Sequence, residues 1–335
     1  MLTYTIRRLV LAIPTLLFIS LVIFLLLELA PGDPMAQVPL TVPPEVKEKM
    51  RLALGLGEPT HIRFMKWMWQ FFVVEPMMFF DWLFGTALAE DQQRVLSWQF
   101  RSPVMDVIVQ RMPQTLWVVA MSYVVGILIA LPIGIYSAYR QYSVFDQTGT
   151  FITMVGYSVP PFFSGVLVIV IFSVQLGWLP SIYDTTLVVV DWATFKKQLM
   201  QMVMPVMVLA LQTTAQISRF MRASMLDNLN QDYVRTARAK GLSEWSVVMV
   251  HVLRNSMIPV VTVIALGVPS IFGGAIITEQ IFKVNGLGQL LITAIEANDL
   301  PMVQTVTFII AVLIVFFNIV ADVLYGVLDP RIRYD

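Results

Sequence analysis

Six stretches of this chain run for 19 residues or more without an Asp, Glu, Lys or Arg: 9–27, 112–139, 147–183, 198–218, 255–278 and 300–321. A helix that crosses the hydrocarbon core of a bilayer needs about 20 mostly apolar residues. The next charge-free run, 284–295, has 12 residues and is too short to cross. Inside a bilayer the backbone must satisfy its own hydrogen bonds, so each long run is read as a helix. A transmembrane barrel would instead show segments of about ten residues with alternating polarity. The expectation is an all-α integral membrane protein with six transmembrane helices.

Composition agrees. Of 335 residues, 57% are hydrophobic and 13% are charged, with mean hydropathy +0.75. A soluble domain carries about 25% charge. Lys and Arg number 22, and so do Asp and Glu, which leaves no basic excess for a nucleic acid. The absence of cysteine excludes disulfides, a thiol nucleophile and zinc–thiolate sites. The only histidines, His61 and His251, lie far apart in sequence. The first run follows Arg7 and Arg8 in the manner of a signal peptide. Its 19 residues exceed an apolar signal core of about 7–15, and Glu28–Pro34 has no clear small-x-small cleavage site. An uncleaved span is expected.

Six spans put both termini on one side, and basic residues in short loops choose that side. With the termini inside, the inner segments hold 11 Lys and Arg and the outer segments hold the other 11. Eight of the outer ones lie in 31–113, and long loops translocate largely regardless of charge, which leaves eleven against three. Both termini are therefore expected in the cytoplasm. The expected layout has the N-terminus and first span in 1–30 and an extracytoplasmic segment with interfacial helices in 31–113. A core follows over 114–335, with spans near 115–139, 150–176, 199–220, 256–278 and 302–328 and a hairpin at 227–255.

The 31–113 segment enters through Pro31, Gly32, Pro34, Pro39, Pro43 and Pro44. His61–Val74 then carries Phe64, Trp67, Trp69, Phe71 and Phe72 beside Arg63 and Lys66, and residues 77–84 are aromatic again. Aromatic amphipathic stretches with basic flanks lie at lipid headgroups. The same rings can equally pack on one another in a small subdomain.

The 219–256 segment reads as two short helices around a tight turn. Asn230 is a candidate N-cap, and Asp232 sits in the first turn, where the helix dipole favours negative charge. Arg238 and Lys240 occupy the last turn, and Gly241 stands where a left-handed residue ends a helix. Ser243 can cap the helix that follows. Tyr233, Ala237 and Gly241 fall at i, i+4 and i+8, a face that another protein could approach closely. On these residues alone a solvated hairpin is the more ordinary outcome.

The segment resembles the "EAA loop" (Glu-Ala-Ala-x-x-x-Gly) of ABC importer permeases, in its dipeptide/oligopeptide/nickel-type variant. The matching residues are Tyr233-Val-Arg235-Thr236-Ala237-Arg-Ala-Lys240-Gly241-Leu242, followed by His251-Val-Leu253-Arg254-Asn255 and Pro259. Arg235-Thr236 in place of Glu-Ala, and Leu253-Arg254 in place of Leu-Pro, are departures typical of the peptide-type subfamily. The start, Ile6-Arg7-Arg8-Leu9 through Leu29-Ala30-Pro31-Gly32-Asp33-Pro34, resembles the B-type subunit. So do Leu176–Pro180, Gly286-Leu287-Gly288 and the terminal Leu328-Asp329-Pro330-Arg331-Ile332-Arg333-Tyr334. The stretch around 75–100 does not fit the family's usual shorter link.

The resemblance implies a type I ABC importer permease (MetI-like) architecture in the bacterial inner membrane. It implies a second, homologous permease subunit, two ATPase subunits that hold ATP and Mg, and an extracytoplasmic substrate-binding protein. The cargo is expected to be peptides or similar small solutes, and no cofactor is expected on this chain. ATPase coupling falls to Tyr233, Arg235, Thr236, Ala237, Lys240, Gly241, Leu242, His251 and Arg254.

The chain has no Gly-Lys dipeptide, hence no Gly-x-x-x-x-Gly-Lys-Ser/Thr phosphate loop, and no His-Glu-x-x-His, so a non-catalytic subunit is expected. An ion-coupled secondary transporter or a channel is the competing class. Such proteins carry buried charges along an ion path, and here only Asp322 lies well inside a span, with Glu28 at an end. Candidates for a translocation path are Gln212 and Gln216 on one face of the fourth span and Thr214 and Ser218 on another. Pro161, Gly273 and Gly274 at helix breaks, and the stripe of Asn318 and Asp322, complete the set. Each can instead serve hydrogen bonds between helices.

Overall fold

The computed structural model describes residues 2–29, 43–45, 48, 57–89, 92 and 94–328. The proline-rich entry at 31–42 and the terminal motif from Asp329 onward lie outside them. The chain is helical: α1 (Leu2–Glu28), α2 (Thr60–Trp69), α3 (Glu75–Phe84), α4 (Val104–Tyr139), α5 (Val144–Ser158), α6 (Pro161–Val168), α7 (Trp192–Leu229), α8 (Asp232–Ala239), α9 (Glu244–Ser246), α10 (Leu253–Phe282), α11 (Leu287–Glu296) and α12 (Leu300–Leu328). Wide π turns join α2 to α3 at Gln70–Val74 and α9 to α10 at Val247–Val252, and another extends α6 over Ile169–Gln175. Among the described residues the one β feature is an isolated bridge between Leu96 and Pro103.

Among the described residues five helices are long and apolar enough to cross a membrane: Thr5–Glu28, Val104–Tyr139, Trp192–Leu229, Glu244–Pro269 and Leu300–Val323. The expected third span, 150–176, is not one rod. It breaks after Ser158 into α5 and the α6 helix, bent by 108°, and gives a sixth crossing only if the pair is counted as one span. Val159 (ψ 125°) precedes Pro160, and Pro160 (ψ 142°) precedes Pro161. A residue before proline is driven out of the helical region, so two prolines in a row end the helix twice over. Pro161 then starts α6 at a position where its missing N–H costs nothing.

The other spans overrun their charge-free cores. The second begins at Val104 rather than 115 and carries Arg111 inside it. The fourth runs over Trp192–Leu229 rather than 199–220. It starts at a capping box in which the Asp191 carboxylate accepts from Thr194 N at 2.8 Å. The fifth has no boundary at 256, because α9, the π turn and α10 continue one into the next.

The chain forms two compact units. The first comprises Met1–Ala12, Pro113–Gln289 and Leu313–Asp335. In it α4 meets α7 through Gly126, Ala130, Gly134 and Ala138, a small residue at every fourth position. A Cβ built on Gly134 would lie 2.6 Å from Met221 Cβ and 2.7 Å from the Ser218 carbonyl. One on Gly126 would lie 2.8 Å from Thr213 Cβ. In lipid, apolar surface gains nothing by leaving the bilayer, so helix pairs are held by such close packing. Ala130 and Ala138 join Ile217, Met221, Met225 and Val260 in the buried core that continues into the α8–α10 hairpin.

The second unit comprises Ile13–Met112 and Leu290–Val312. Here α2 runs antiparallel to α1. Thr60 and Arg63 bond to Glu28, Phe64 stacks edge-on against Phe24 at 5.2 Å, and Met68 Sδ accepts from Ser20 at 3.3 Å. Trp67 is 5% exposed and meets Phe308 of α12 at 5.3 Å. Phe64, Trp67 and Phe71 thus pack against α1 and α12, while Trp69 and Phe72 stay exposed. The stretch after α3 is tied down by charge. Arg94 pairs with Glu75 at 3.2 Å and with Asp106 at 2.9 Å, and buried Asp299 accepts from Ser97, from Gln99 N and from Met302 N.

Candidate functional site

The hairpin lies where α7 leaves its span. Asn230 ends α7 and its amide donates to the Leu226 carbonyl at 3.0 Å, so it does not cap α8; that position belongs to Gln231, whose side chain makes no capping bond. The α8 helix stops as the sequence suggests. Gly241 has φ +76°, its N–H reaches the Arg238 carbonyl at 2.9 Å, and Leu242 N reaches the Ala237 carbonyl at 3.4 Å. That double bond pattern is a Schellman stop, which glycine adopts without strain. Ser243 caps α9 through Ser246 N. Across the turn, Arg238 grips Glu244 with two hydrogen bonds of 2.8 and 3.3 Å.

Ala237 does not belong to an outward face. It is buried with Val234 against Val247, Val248 and Val252, because the two arms of the hairpin close on their own apolar core. The Tyr233 hydroxyl donates to Asn228 Oδ1 at 2.7 Å, and the Thr236 hydroxyl donates to the Asp232 carbonyl at 2.9 Å. What the hairpin presents outward is Arg235, Lys240, Gly241, Leu242, Arg254 and part of Tyr233, with His251 half-buried in the π turn. Trp245, at 74% exposure, stands beside them. The sequence reading passed over this tryptophan; its position just after the Ser243 cap, off the Val247–Val248 apolar pair, was the available signal.

The hairpin is fastened to the spans that carry it. Ser224 Oγ donates to the Ser256 carbonyl at 2.9 Å, and Ser256 Oγ donates to the Ser224 carbonyl at 3.2 Å, both buried. A turn of α7 and a turn of α10 thus exchange hydrogen bonds. Arg222 also binds Asp146 of α5 through two contacts of 2.7 and 2.8 Å.

The residues proposed for a path divide. Gln212 and Gln216 are half-exposed on α7. Thr214 and Ser218 are buried in the helix contact, Thr214 donating to the Gly126 carbonyl at 3.2 Å and Ser218 to the Ala215 carbonyl at 3.4 Å, so their hydroxyls are used within the protein. Pro161 is half-buried at the α5–α6 break, Gly273 and Gly274 lie inside α10, and Asn318 is exposed on α12. Asp322 is not a lone charge in a span: Arg8 of α1 pairs with it at 3.1 Å.

A second buried carboxylate escaped the sequence reading because it ends a charge-free run. Glu279 of α10 is fully buried, accepting from Thr115 Oγ1 at 2.7 Å, Gly288 N at 2.7 Å and Gln289 N at 3.2 Å. Gly286 and Gly288 make this possible. A Cβ on the first would lie 2.5 Å from the Glu279 carboxylate, and one on the second 2.4 Å from Ile276 Cα. Among the described residues no group of three or more His, Asp or Glu is placed to hold a metal ion.

Comparison with known proteins gives a consistent answer. The family described as "Binding-protein-dependent transport system inner membrane component" matches residues 130–334, and its N-terminal companion matches residues 1–119. The chain is 37% identical over 338 residues to the oligopeptide transport system permease protein AppB of Bacillus subtilis (strain 168), covering 100% of both chains. It is 36% identical, again over 100% of both, to the glutathione transport system permease protein GsiC of Salmonella choleraesuis (strain SC-B67). These matches run the full length of both chains. The fold resembles that of the inward-facing MetNI methionine ABC transporter, with TM-score 0.54 and 19% identity over 68% of this chain and 99% of that one. It also resembles an amino acid ABC transporter, with TM-score 0.51 and 12% identity over 66% of this chain and 94% of that one. The chain belongs to the binding-protein-dependent transport system inner membrane components, the permease subunits of ABC importers.

Proposed function

We propose that this permease imports peptides or similar small solutes and is driven by ATPase subunits docked on the 227–255 hairpin. The observation that carries the coupling assignment is the hairpin itself: an exposed tip of Arg235, Lys240, Leu242 and Trp245 on a closed apolar core, clamped to two spans by Ser224 and Ser256. A rigid tip converts the displacement of a docked partner into movement of α7 and α10. The peptide class of cargo is supported by relatives named for oligopeptide and glutathione transport. In this reading both termini and the hairpin are cytoplasmic and the membrane is the bacterial inner membrane. A second permease completes the pathway, an extracytoplasmic protein delivers the cargo, and ATP and Mg bind the ATPases alone.

The test is Trp245→Ala together with Gly241→Val. Trp245 is exposed, so its removal spares folding, whereas Gly241 needs its positive φ to end α8. Both variants should insert into the membrane normally, lose ATPase subunits on purification and lose ATP-dependent peptide uptake. Full subunit recovery with full uptake in both would overturn the coupling assignment.

A further inference from the structure

The α3 helix engages both of its charges within its own unit and turns apolar side chains outward. From Pro76 the exposed side chains Pro76, Phe79, Phe80 and Leu83 fall at i, i+3, i+4 and i+7, one stripe of the helix. Trp82, at 78% exposure, and Phe84 extend it, and Leu88 is exposed beyond the helix end. The two charges of α3 lie off this stripe and are both engaged within the unit. Glu75 binds Arg94 and the Gln70 amide, and Asp81 accepts from Thr86 Oγ1, Leu88 N at 2.9 Å and Ala89 N at 2.8 Å. In water this is the wrong way round, since a surface helix turns its charges to solvent.

The neighbouring helix says what covers the stripe. Moving along α2 from Thr60 to Met68, the partner on α1 changes from Glu28 to Phe24 to Ser20. Eight residues of helix are about 12 Å, so α2 descends beside the membrane span well past its end. The charged pairs Arg63–Glu28 and Lys66–Glu58 stay at the start of the helix, and from Trp67 to Phe84 the only charges are the two already engaged. The same unit exposes Leu17, Phe18, Leu21, Leu25 and Leu26 on α1, the surface that a span turns to lipid. A protein partner would be met by a polar rim around the apolar centre, and from Phe79 to Leu88 the exposed residues carry no charge.

We infer that the Pro76–Leu83 face of α3 is immersed in the acyl chains of the adjacent bilayer leaflet, continuous with the lipid-facing surface of α1. The segment is then a membrane-embedded helix, not an arm standing in water. The chain contains no cysteine, so single sites can be labelled without background. Phe80→Cys and, independently, Leu83→Cys are introduced, spin-labelled and studied in the complete transporter, with partner subunits free of cysteine, in phosphatidylcholine–phosphatidylglycerol nanodiscs. Leu21→Cys on α1 is the lipid-facing reference. The expected result at both α3 sites is frequent collision with dissolved oxygen and loss of collision with water-soluble nickel–EDDA, in the same order as at Leu21. Frequent nickel collision, meaning a watery face, would overturn the inference. So would low collision with both reagents, meaning a face covered by another protein.

Discussion

Alanine placed at Gly134 and at Gly149 should have opposite effects, although both glycines lie inside helices. Replacing a helical glycine by alanine gains about 0.5–1 kcal/mol, because the glycine loses more freedom on folding. At Gly149 the nearest atom to the new Cβ would be Ser137 Oγ at 3.7 Å, an ordinary contact, so that gain is realised. At Gly134 the new Cβ would stand 2.6 Å from Met221 Cβ and 2.7 Å from the Ser218 carbonyl oxygen, which is backbone and cannot rotate away. Carbon atoms rest about 3.5–4.0 Å apart, so α4 and α7 would have to separate by about 1 Å. Overpacking of this kind costs about 1–3 kcal/mol. Separation also stretches the Thr214–Gly126 bond, which bridges the same two helices. The propensity gain is common to both variants, so their difference in stability isolates the clash at about 1–3 kcal/mol. Unfolding of each variant in mixed micelles with rising SDS fraction, followed by far-ultraviolet circular dichroism, measures it. Equal stability of Gly134→Ala and Gly149→Ala would refute the idea that glycine contact sets the α4–α7 spacing.

Three further outcomes follow from the same structure. Ala237→Trp should destabilise the hairpin from within, seen as proteolytic nicking of 230–245 in the isolated permease; an intact hairpin in that variant would place Ala237 on the surface after all. Reporter fusions after residue 230 and at the C-terminus should both read cytoplasmic and one near residue 88 should read external, and ends on opposite faces would contradict the orientation. Asp191 is held below the usual carboxylate range, first by the backbone N–H of Thr194 and then by its hydroxyl. The capping contribution of its ionised form is complete above the ordinary value of about 4 and disappears as pH falls through the lowered one. Amide protection in the first turn of α7 should therefore drop at acid pH in the native chain and be low at every pH in Asp191→Ala, and a pH-independent native profile would refute this.

Much of the architecture was legible because the membrane imposes it. Charge-free length marks a span whatever the rest of the fold does, and two adjacent prolines mark the α5–α6 break by backbone sterics alone. Gly241 and Ser243 were legible for the same local reason. Span ends were not, because Arg111, Lys196, Lys197, Arg219 and Arg222 sit inside continuous helices, Arg222 paired with Asp146 and Lys196, Lys197 and Arg219 exposed. The inward turn of Ala237 was hidden because Tyr233, Ala237 and Gly241 share a face on the helical wheel. Which face closes depends on the Val247–Val252 arm across the turn. Asn230 has the chemistry of an N-cap, but α7 extends far enough to claim it first. The partners of Glu279 and Asp322 are distant in sequence, at Thr115 and Arg8, so no local pattern announced them.

The two sides of the hairpin meet their spans differently. On the α7 side the helix stops at Asn230 and restarts after Gln231, a joint. On the other side Glu244 to Phe282 is a single shaft with one wide turn in it. The mutual serine bonds hold that shaft at Ser256, roughly 18 Å from its tip at Glu244 and roughly 20 Å from Pro269 at the helical rise of about 1.5 Å per residue. Held at Ser256, the shaft is a lever whose arms to Glu244 and to Pro269 are nearly equal. In the proposed coupling, a sideways push at the tip would emerge at the level of Pro269 with about the same amplitude and the opposite direction, and the joint at Asn230–Gln231 would let α7 move less than α10.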